Sequence, residues 1–157
     1  MNGGDLDDLD RAILDALLAD GRATIRDVAT EVGAATATVT QRLDAIEQQG
    51  VVEGYVPRLD YAELGFPLTA VFHLSVDGEG IADVVELLGD HDRMIDVYEV
   101  TGSHDVVAVG KFADVQSMNA QIVDLVTDPQ VTGVSTNVVR DIVREHEVFR
   151  IDVAGDG

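Results

Sequence analysis

Residues 24–50, TIRDVATEVGAATATVTQRLDAIEQQG, carry the spacing on which the reading of this chain turns: Ala29 behind Val28, Gly33 four residues on, and Val39 six beyond that. Two short helices packed at about 90–120° need a small residue where they touch, a residue free to take positive φ at the sharp turn, and a buried branched residue anchoring the second helix. Ala29, Gly33 and Val39 supply these in order, so the stretch reads as a helix-turn-helix. Helical hairpins that never meet nucleic acid share the pattern, which makes DNA reading an expectation and not a consequence of spacing alone.

The flanks extend the hairpin into a small domain. Upstream, LDDLDRAILDALLADG sets Leu6, Leu9, Ile13 and Leu17 on one helical stripe, opens with acids suited to a helix N-terminus and stops at Asp20-Gly21. Thr24 with Asp27 three residues on has the form of a capping box, and Gly50 closes the third helix where the apolar pattern ends. VVEGYVPRL (51–59) then reads as a wing or as a strand leaving the domain.

From residue 68 the period changes. LTAVFHLSV (68–76), MIDVYEVTG (94–102), DVVAVGKF (105–112) and VTGVSTNVVRDIV (131–143) read as strands, Val-rich and bounded by Gly, Asp or Pro. Two amphipathic helices interleave with them. One carries Ile81, Val84, Val85 and Leu88; the other opens at Asp114 as N-cap, carries Val115, Met118, Ile122 and Leu125, and stops before Asp128-Pro129. The expected fold class is therefore α+β, an N-terminal (winged) helix-turn-helix followed by a ferredoxin-like βαββαβ domain. The expected boundaries are 1–56 for the DNA-binding domain, 57–67 for a linker and 68–157 for a ligand-binding and oligomerisation domain.

Two helices cover only one face of such a sheet, yet its strands are apolar at nearly every position, so a second face also needs burial. The same face of another copy would satisfy it, giving a two-fold dimer that presents two hairpins together. Packing of the sheet on its own N-terminal domain is the other solution.

Charge points the opposite way from DNA. Ten basic residues stand against thirty acids for a net charge of −20, and the first 55 residues hold four arginines and no lysine against eleven acids. Phosphate neutralisation usually supplies much of a DNA-binding module's affinity, so an acidic protein that avoids DNA is a competing reading. Lysine occurs only at position 111, however, and Asp outnumbers Glu by 21 to 9. This composition resembles that of halophilic archaea holding molar salt, whose acidic surfaces serve hydration and say little about partners. The absence of cysteine excludes disulfides, thiolate nucleophiles and Cys-ligated zinc. No run approaches the roughly 18 apolar residues of a membrane span, and no basic-then-apolar signal segment opens the chain, so the expected location is the cytoplasm, away from membranes. His73, His91, His104 and His146 are scattered, with no catalytic or metal-ligand spacing, and neither cofactor nor metal is expected.

The third helix, starting near Thr36, turns Val39, Leu43 and Ile46 inward and Ala37, Gln41, Asp44 and Gln48 outward, with Thr38 and Thr40 on the shoulders. The candidate DNA-reading set is Thr36, Ala37, Thr38, Thr40, Gln41 and Arg42. Gln41 suits the paired hydrogen bonds of an adenine edge, and the threonines suit phosphates or a thymine methyl. Arg42, nearer the core edge, fits a structural ion pair as well as a phosphate contact. Asp44 repels phosphate unless it takes a cytosine amine or lies beyond the groove, and the whole pattern also fits a merely solvated face.

Nearly the whole chain resembles the leucine-responsive/asparagine regulator (Lrp/AsnC) family. The likeness is carried by LDDLDRAIL, DGRATIRDVATEVG, VTQRLDAIEQQGVVEGY, LDYAELG, VTGSHDVVAVGKF and DPQVTGV, in that order and spacing. The resemblance implies double-stranded DNA as partner, transcriptional control modulated by a small molecule such as an amino acid, dimers joined through the sheets and frequent octamers. It also carries an effector-lining role onto Gly102, Ser103, His104 and Asp105, with Asp105 pairing an α-ammonium group, and onto Thr136 and Asn137 of the last strand. A tight hairpin whose Gly and Asp serve only the turn is the plainer account of that segment. The chain departs from relatives at Ala35, where a serine commonly opens the third helix and where Thr36 becomes the substitute cap one residue on, and at His104, often aromatic. Siroheme decarboxylases resemble the family in fold and domain order, but their His-Asn-Tyr segment and Asn-Leu-Trp-Phe-like strand are missing here. A DNA-independent metabolite-binding protein is a further alternative.

Overall fold

The computed structural model describes residues 6–149 and 151. The chain divides into two compact units, one running to Arg58 and taking in the segment from Arg144, the other Leu59–Val143. The first unit contains α1 (Asp8–Ala19), α2 (Ile25–Val32) and α3 (Thr36–Gln48). Asp7 caps α1 by accepting from the Asp10 N–H at 3.0 Å, while the Asp10 carboxylate accepts from the Asp7 N–H at 3.0 Å. Thr24 and Asp27 form the same reciprocal box at α2, as their spacing predicts. Gly33, at φ 69°, ends α2 in the left-handed region that a side chain disfavours. The helices close on Ile13, Ala16, Val28, Ala29, Val39 and Leu43. On α1 the stripe is turned from its expected setting, since Leu9 and Leu17 are only partly buried while Leu14 and Ala16 are fully so.

Two local expectations fail in this unit. Ala35 is the N-cap of α3 and no side chain caps the helix; Thr36 is already helical, and its carbonyl accepts from the Thr40 hydroxyl at 3.0 Å. After α3 there is no strand before Leu68, so no β-wing forms among the described residues. Among the described residues the unit offers no strand for residues 51–58 to pair with, and Pro57 has no N–H to give a ladder. Tyr55 instead ties the segment to α3 by donating to Glu47 Oε1 at 2.7 Å. Burial and that neighbouring carboxylate push its phenol up to about 12.

The second unit runs β1 (Leu68–Val76), α4 (Ile81–Gly89), β2 (Met94–Glu99), β3 (Val106–Phe112), α5 (Val115–Thr127) and β4 (Val131–Val138). Its four strands pair antiparallel in the order β2-β3-β1-β4, the ferredoxin-like arrangement. β4 stops short of the expected residue 143 because its partner runs out: Ala70 faces Val138, and the Val139 N–H makes a last bond to the Thr69 carbonyl. Asp114 caps α5 through the Ser117 N–H at 2.7 Å.

Register assigns the faces. Ala70, Phe72, Leu74 and Val76 of β1, with Val106, Ala108 and Phe112 of β3, pack under Val84 and Leu88 of α4 and Met118 and Leu125 of α5. Phe72 meets Phe112 edge-on, ring centroids 5.9 Å apart. On the other face lie Val71, His73 and Ser75 of β1, paired with Val109 and Val107 of β3 and with Asn137, Ser135 and Gly133 of β4. Thr69 and Lys111 share that face at its far end, both buried, with the lysine ammonium donating to Thr69 Oγ1 at 3.0 Å. Among the described residues no helix is long and apolar enough to cross a membrane.

Phe72 is fully buried at the centre of this core. Phe72→Ala is expected to destabilise the protein by about 3–5 kcal/mol, the usual range for emptying an aromatic site. The check is a shifted urea midpoint at fixed protein concentration with an unchanged denaturant slope.

Candidate DNA-reading helix and effector hairpin

The packing of α3 decides which of its side chains are available. Val39, Leu43 and Ile46 are buried, while Thr36, Ala37, Thr38, Thr40, Gln41, Asp44 and Gln48 are exposed. Arg42 is only half-buried, and its guanidinium turns back on α1, with Nη1 2.8 Å from Asp7 Oδ2 and 3.2 Å from Asp10 Oδ2. Of the two readings open for Arg42, the structure therefore has the ion pair. Asp10 is 5% exposed and is the buried charge that this arginine and the Asp7 N–H satisfy. No cationic side chain stands among Thr36, Ala37, Thr38, Thr40 and Gln41.

Carboxylates at the helix starts titrate low. The Asp10 N–H, helped by the Arg42 guanidinium, holds Asp7 below its ordinary value. The Thr24 hydroxyl, with the Thr24 N–H, does the same for Asp27.

In the second unit the hairpin joining β2 to β3 contains Gly102 at φ 116°, in open space, and an exposed Ser103. Ser103 Oγ lies 3.2 Å from His104 Nδ1, and the His104 ring leans on His73, centroids 5.3 Å apart. Asp105 is committed to the main chain. Its Oδ2 accepts from the Val76 N–H at 2.8 Å, its own N–H donates to the Leu74 carbonyl, and its carbonyl accepts from Val100. The carboxylate therefore serves the end of β1, and only the Asp105 main chain closes the hairpin on Val100.

The two candidates on β4 part company. Thr136 stands opposite Phe72 and shares the helix-covered face, whereas Asn137 stands opposite Val71 on the open one. Ser135, opposite His73, joins His104 on the open face and was no part of the expected set. Alternation along the strand carries this distinction.

A helix-turn-helix with a free reading face, followed by a ferredoxin-like module, defines a two-part DNA-binding regulator class. Two family models match the chain in the same order: "Winged helix-turn-helix DNA-binding" over residues 6–53 and "Lrp/AsnC ligand binding domain" over residues 69–149. An HTH-type transcriptional regulator of Pyrococcus horikoshii is 32% identical over 148 residues, covering 94% of this chain and 99% of its own. One from Pyrococcus abyssi is 31% identical over 147 residues, with 94% and 99% covered. Among solved structures, a Neisseria meningitidis transcriptional regulator in complex with L-Met superposes with a TM-score of 0.89 at 20% identity, over 95% of this chain and 99% of that one. The chain belongs to the Lrp/AsnC family of helix-turn-helix transcriptional regulators.

Because the folded-state values of Asp7 and Asp27 are depressed, their stabilisation is complete above the ordinary aspartate value of about 3.9 and is lost as pH falls through their lowered values. Far-UV circular dichroism of wild type should show helix loss steepening below that value. Asp7→Asn combined with Asp27→Asn should flatten the decline, and an unchanged profile would contradict the assignment.

Proposed function

We propose that the first unit reads double-stranded DNA with the N-terminal half of α3, that a homodimer presents two such helices, and that a small molecule at the Gly102 hairpin modulates binding. The observation that carries the DNA reading is the exposed row Thr36, Ala37, Thr38, Thr40 and Gln41 behind a buried Val39, in a chain whose relatives are transcriptional regulators. Its end of α3 has no side-chain cap, which leaves first-turn N–H groups for a phosphate. Effector binding rests on the likeness of residues 69–149 to a ligand-binding domain and on the amino acid bound by the Neisseria protein, with an amino acid as the proposed class. In this reading Gly102, Ser103, His104 and Asn137 face the effector, and Asp105 holds the hairpin in shape. The regulator acts in the cytoplasm without catalysis, through modules spanning 1–56 and 68–157 joined by 57–67.

The dimer reading rests on Val71, Val107 and Val109, which lie on the sheet face that α4 and α5 leave uncovered. Self-association through that face makes an isologous interface. Val109→Asp should therefore convert the protein to a monomer in sedimentation at high salt, and an unchanged mass would remove this interface.

DNA recognition is tested by recovering genomic fragments bound by the protein in potassium chloride, with and without each amino acid. At the preferred site Gln41→Ala should cost about 1–3 kcal/mol while leaving random duplex binding nearly unchanged. With Arg42 engaged by Asp7 and Asp10, affinity should also fall with salt less steeply than the roughly −5 logarithmic slope of a protein neutralising six phosphates. An unchanged specificity ratio in Gln41→Ala would reject the reading residue, and a steep slope would reject weak phosphate neutralisation.

A further inference from the structure

The division between the two compact units falls between Arg58 and Leu59, so LDYAELGF (59–66) is built into the second unit. Its hydrogen bonds show how. The Asp60 carboxylate accepts from the Ala62 N–H at 3.0 Å and from the Glu63 N–H at 3.1 Å. The Gly65 N–H bonds the Ala62 carbonyl at 2.9 Å and the Phe66 N–H bonds that of Tyr61 at 2.8 Å, with Gly65 at φ 88° closing the turn in the left-handed region. Two aromatic rings then fasten it. The Lys111 ammonium lies 4.9 Å from the centroid of the Tyr61 ring, and the Arg93 guanidinium carbon 4.3 Å from that of Phe66. Both cations belong to one corner of the sheet, because the Lys111 N–H donates to the Arg93 carbonyl at 3.0 Å.

The chain is tied on the other side as well. At the end of α3 the Val51 N–H bonds the Ile46 carbonyl at 3.1 Å, and Tyr55 reaches back to Glu47. Between Tyr55 and the turn, residues 56–59 make no hydrogen bond among the described residues, and Val56 is 90% exposed. Pro57 in their midst locks its own φ and holds Val56 extended, which leaves few soft dihedrals. Fully extended, residues 56–59 reach roughly 13 Å, and with 60–67 released as well the reach becomes roughly 40 Å. The chain returns to the first unit at Arg144, but every side chain of residues 144–149 except Glu145 is exposed, so that segment has little buried surface to hold it in place.

We propose that residues 60–66 are a clasp that confines the joint between the units to residues 56–59, and that Tyr61, Phe66, Arg93 and Lys111 are thereby positioning residues for DNA reading. A dimer reads half-sites about 34–36 Å apart, or a multiple of that, so the spacing it accepts depends on how far each α3 can travel from the sheets that join the copies. A short, proline-stiffened joint keeps that travel small. Release of the turn lets it grow. The positioning role rests on the DNA and dimer readings proposed above, whereas the clasp itself does not.

Cleavage of the full chain by a glutamyl endopeptidase reads the clasp, because Glu53 and Glu63 are both exposed and stand on either side of the joint. Cutting requires local opening, so Glu63 should be cleaved at least about tenfold more slowly than Glu53. Arg93→Gln, at an exposed position, should speed cleavage at Glu63 about two- to fivefold, as loss of one exposed cation–aromatic contact predicts, and Tyr61→Ala combined with Phe66→Ala at least about tenfold with circular dichroism unchanged. Phe66→Tyr, which keeps a ring against the guanidinium, should behave as wild type. Gel-shift titration of a duplex preferred by wild type, against the same duplex with its half-sites moved apart by about five base pairs, half a helical turn, reads the positioning role. Wild type and Phe66→Tyr should lose at least about tenfold in affinity on the altered duplex, and the double variant less than about threefold, as a longer and softer joint predicts. Equal cleavage at Glu53 and Glu63, or a Glu63 rate unchanged in both Arg93→Gln and the double variant, would overturn the clasp. A double variant that is cut rapidly yet keeps the wild-type spacing preference would overturn the positioning role. If wild type binds no duplex, the DNA reading fails and the positioning role with it, while the two cleavage rates still decide the clasp.

Discussion

Two helices cannot enclose both faces of a four-stranded sheet, and the organisation of Leu59–Val143 follows from that shortfall. The central strand β1 has hydrogen-bonded neighbours on both sides, so its only freedom is which side chains go to which face. Alternation sends Ala70, Phe72, Leu74 and Val76 beneath α4 and α5, and leaves Val71, His73 and Ser75 on the other side. A one-residue slip would exchange these sets and expose the largest aromatic of the core. The apolar residues left outside are there because the architecture offers them no cover within the unit, and the strands were nonetheless kept Val-rich.

In the first unit the governing contact is Arg42 with Asp7 and Asp10. It joins residues 32 positions apart, compensates a buried carboxylate and fixes the rotation of α3 against α1. The same contact withdraws positive charge from the helix that faces outward. Orientation of the exposed face of α3 and the absence of a free cation from it thus have one cause.

What could be read directly from sequence was local. Ala29, Gly33 and Val39 work within one helical hairpin, and the boxes at Thr24 and Asp114 are complete within three residues, so their chemistry lies in adjacent letters. The strand-helix order was legible for the same reason, because each element announces its own period. Features that depend on a distant partner were not legible. β4 ends where β1 has nothing left to pair with, Thr136 and Asn137 separate only once register is known, and Asp105 reaches Val76 across 29 residues of sequence. The contact of the Arg93 guanidinium with the Phe66 ring, 4.3 Å from its centroid, is a further case, joining residues 27 positions apart. LDYAELGF reads only as linker in the sequence, and nothing in it says that Phe66 will meet Arg93.

Lys111 has a practical corollary. It is the chain's single lysine, 3% exposed, held by Thr69 with its ammonium 4.9 Å from the centroid of the Tyr61 ring. Lysine-directed chemistry, whether acetyl transfer, ubiquitin conjugation or an ester cross-linker, therefore finds no exposed side-chain amine on the folded protein. Reaction at this position would report that Thr69, Lys111 and the Tyr61 turn had come apart, which makes the lone amine a built-in sensor of local opening.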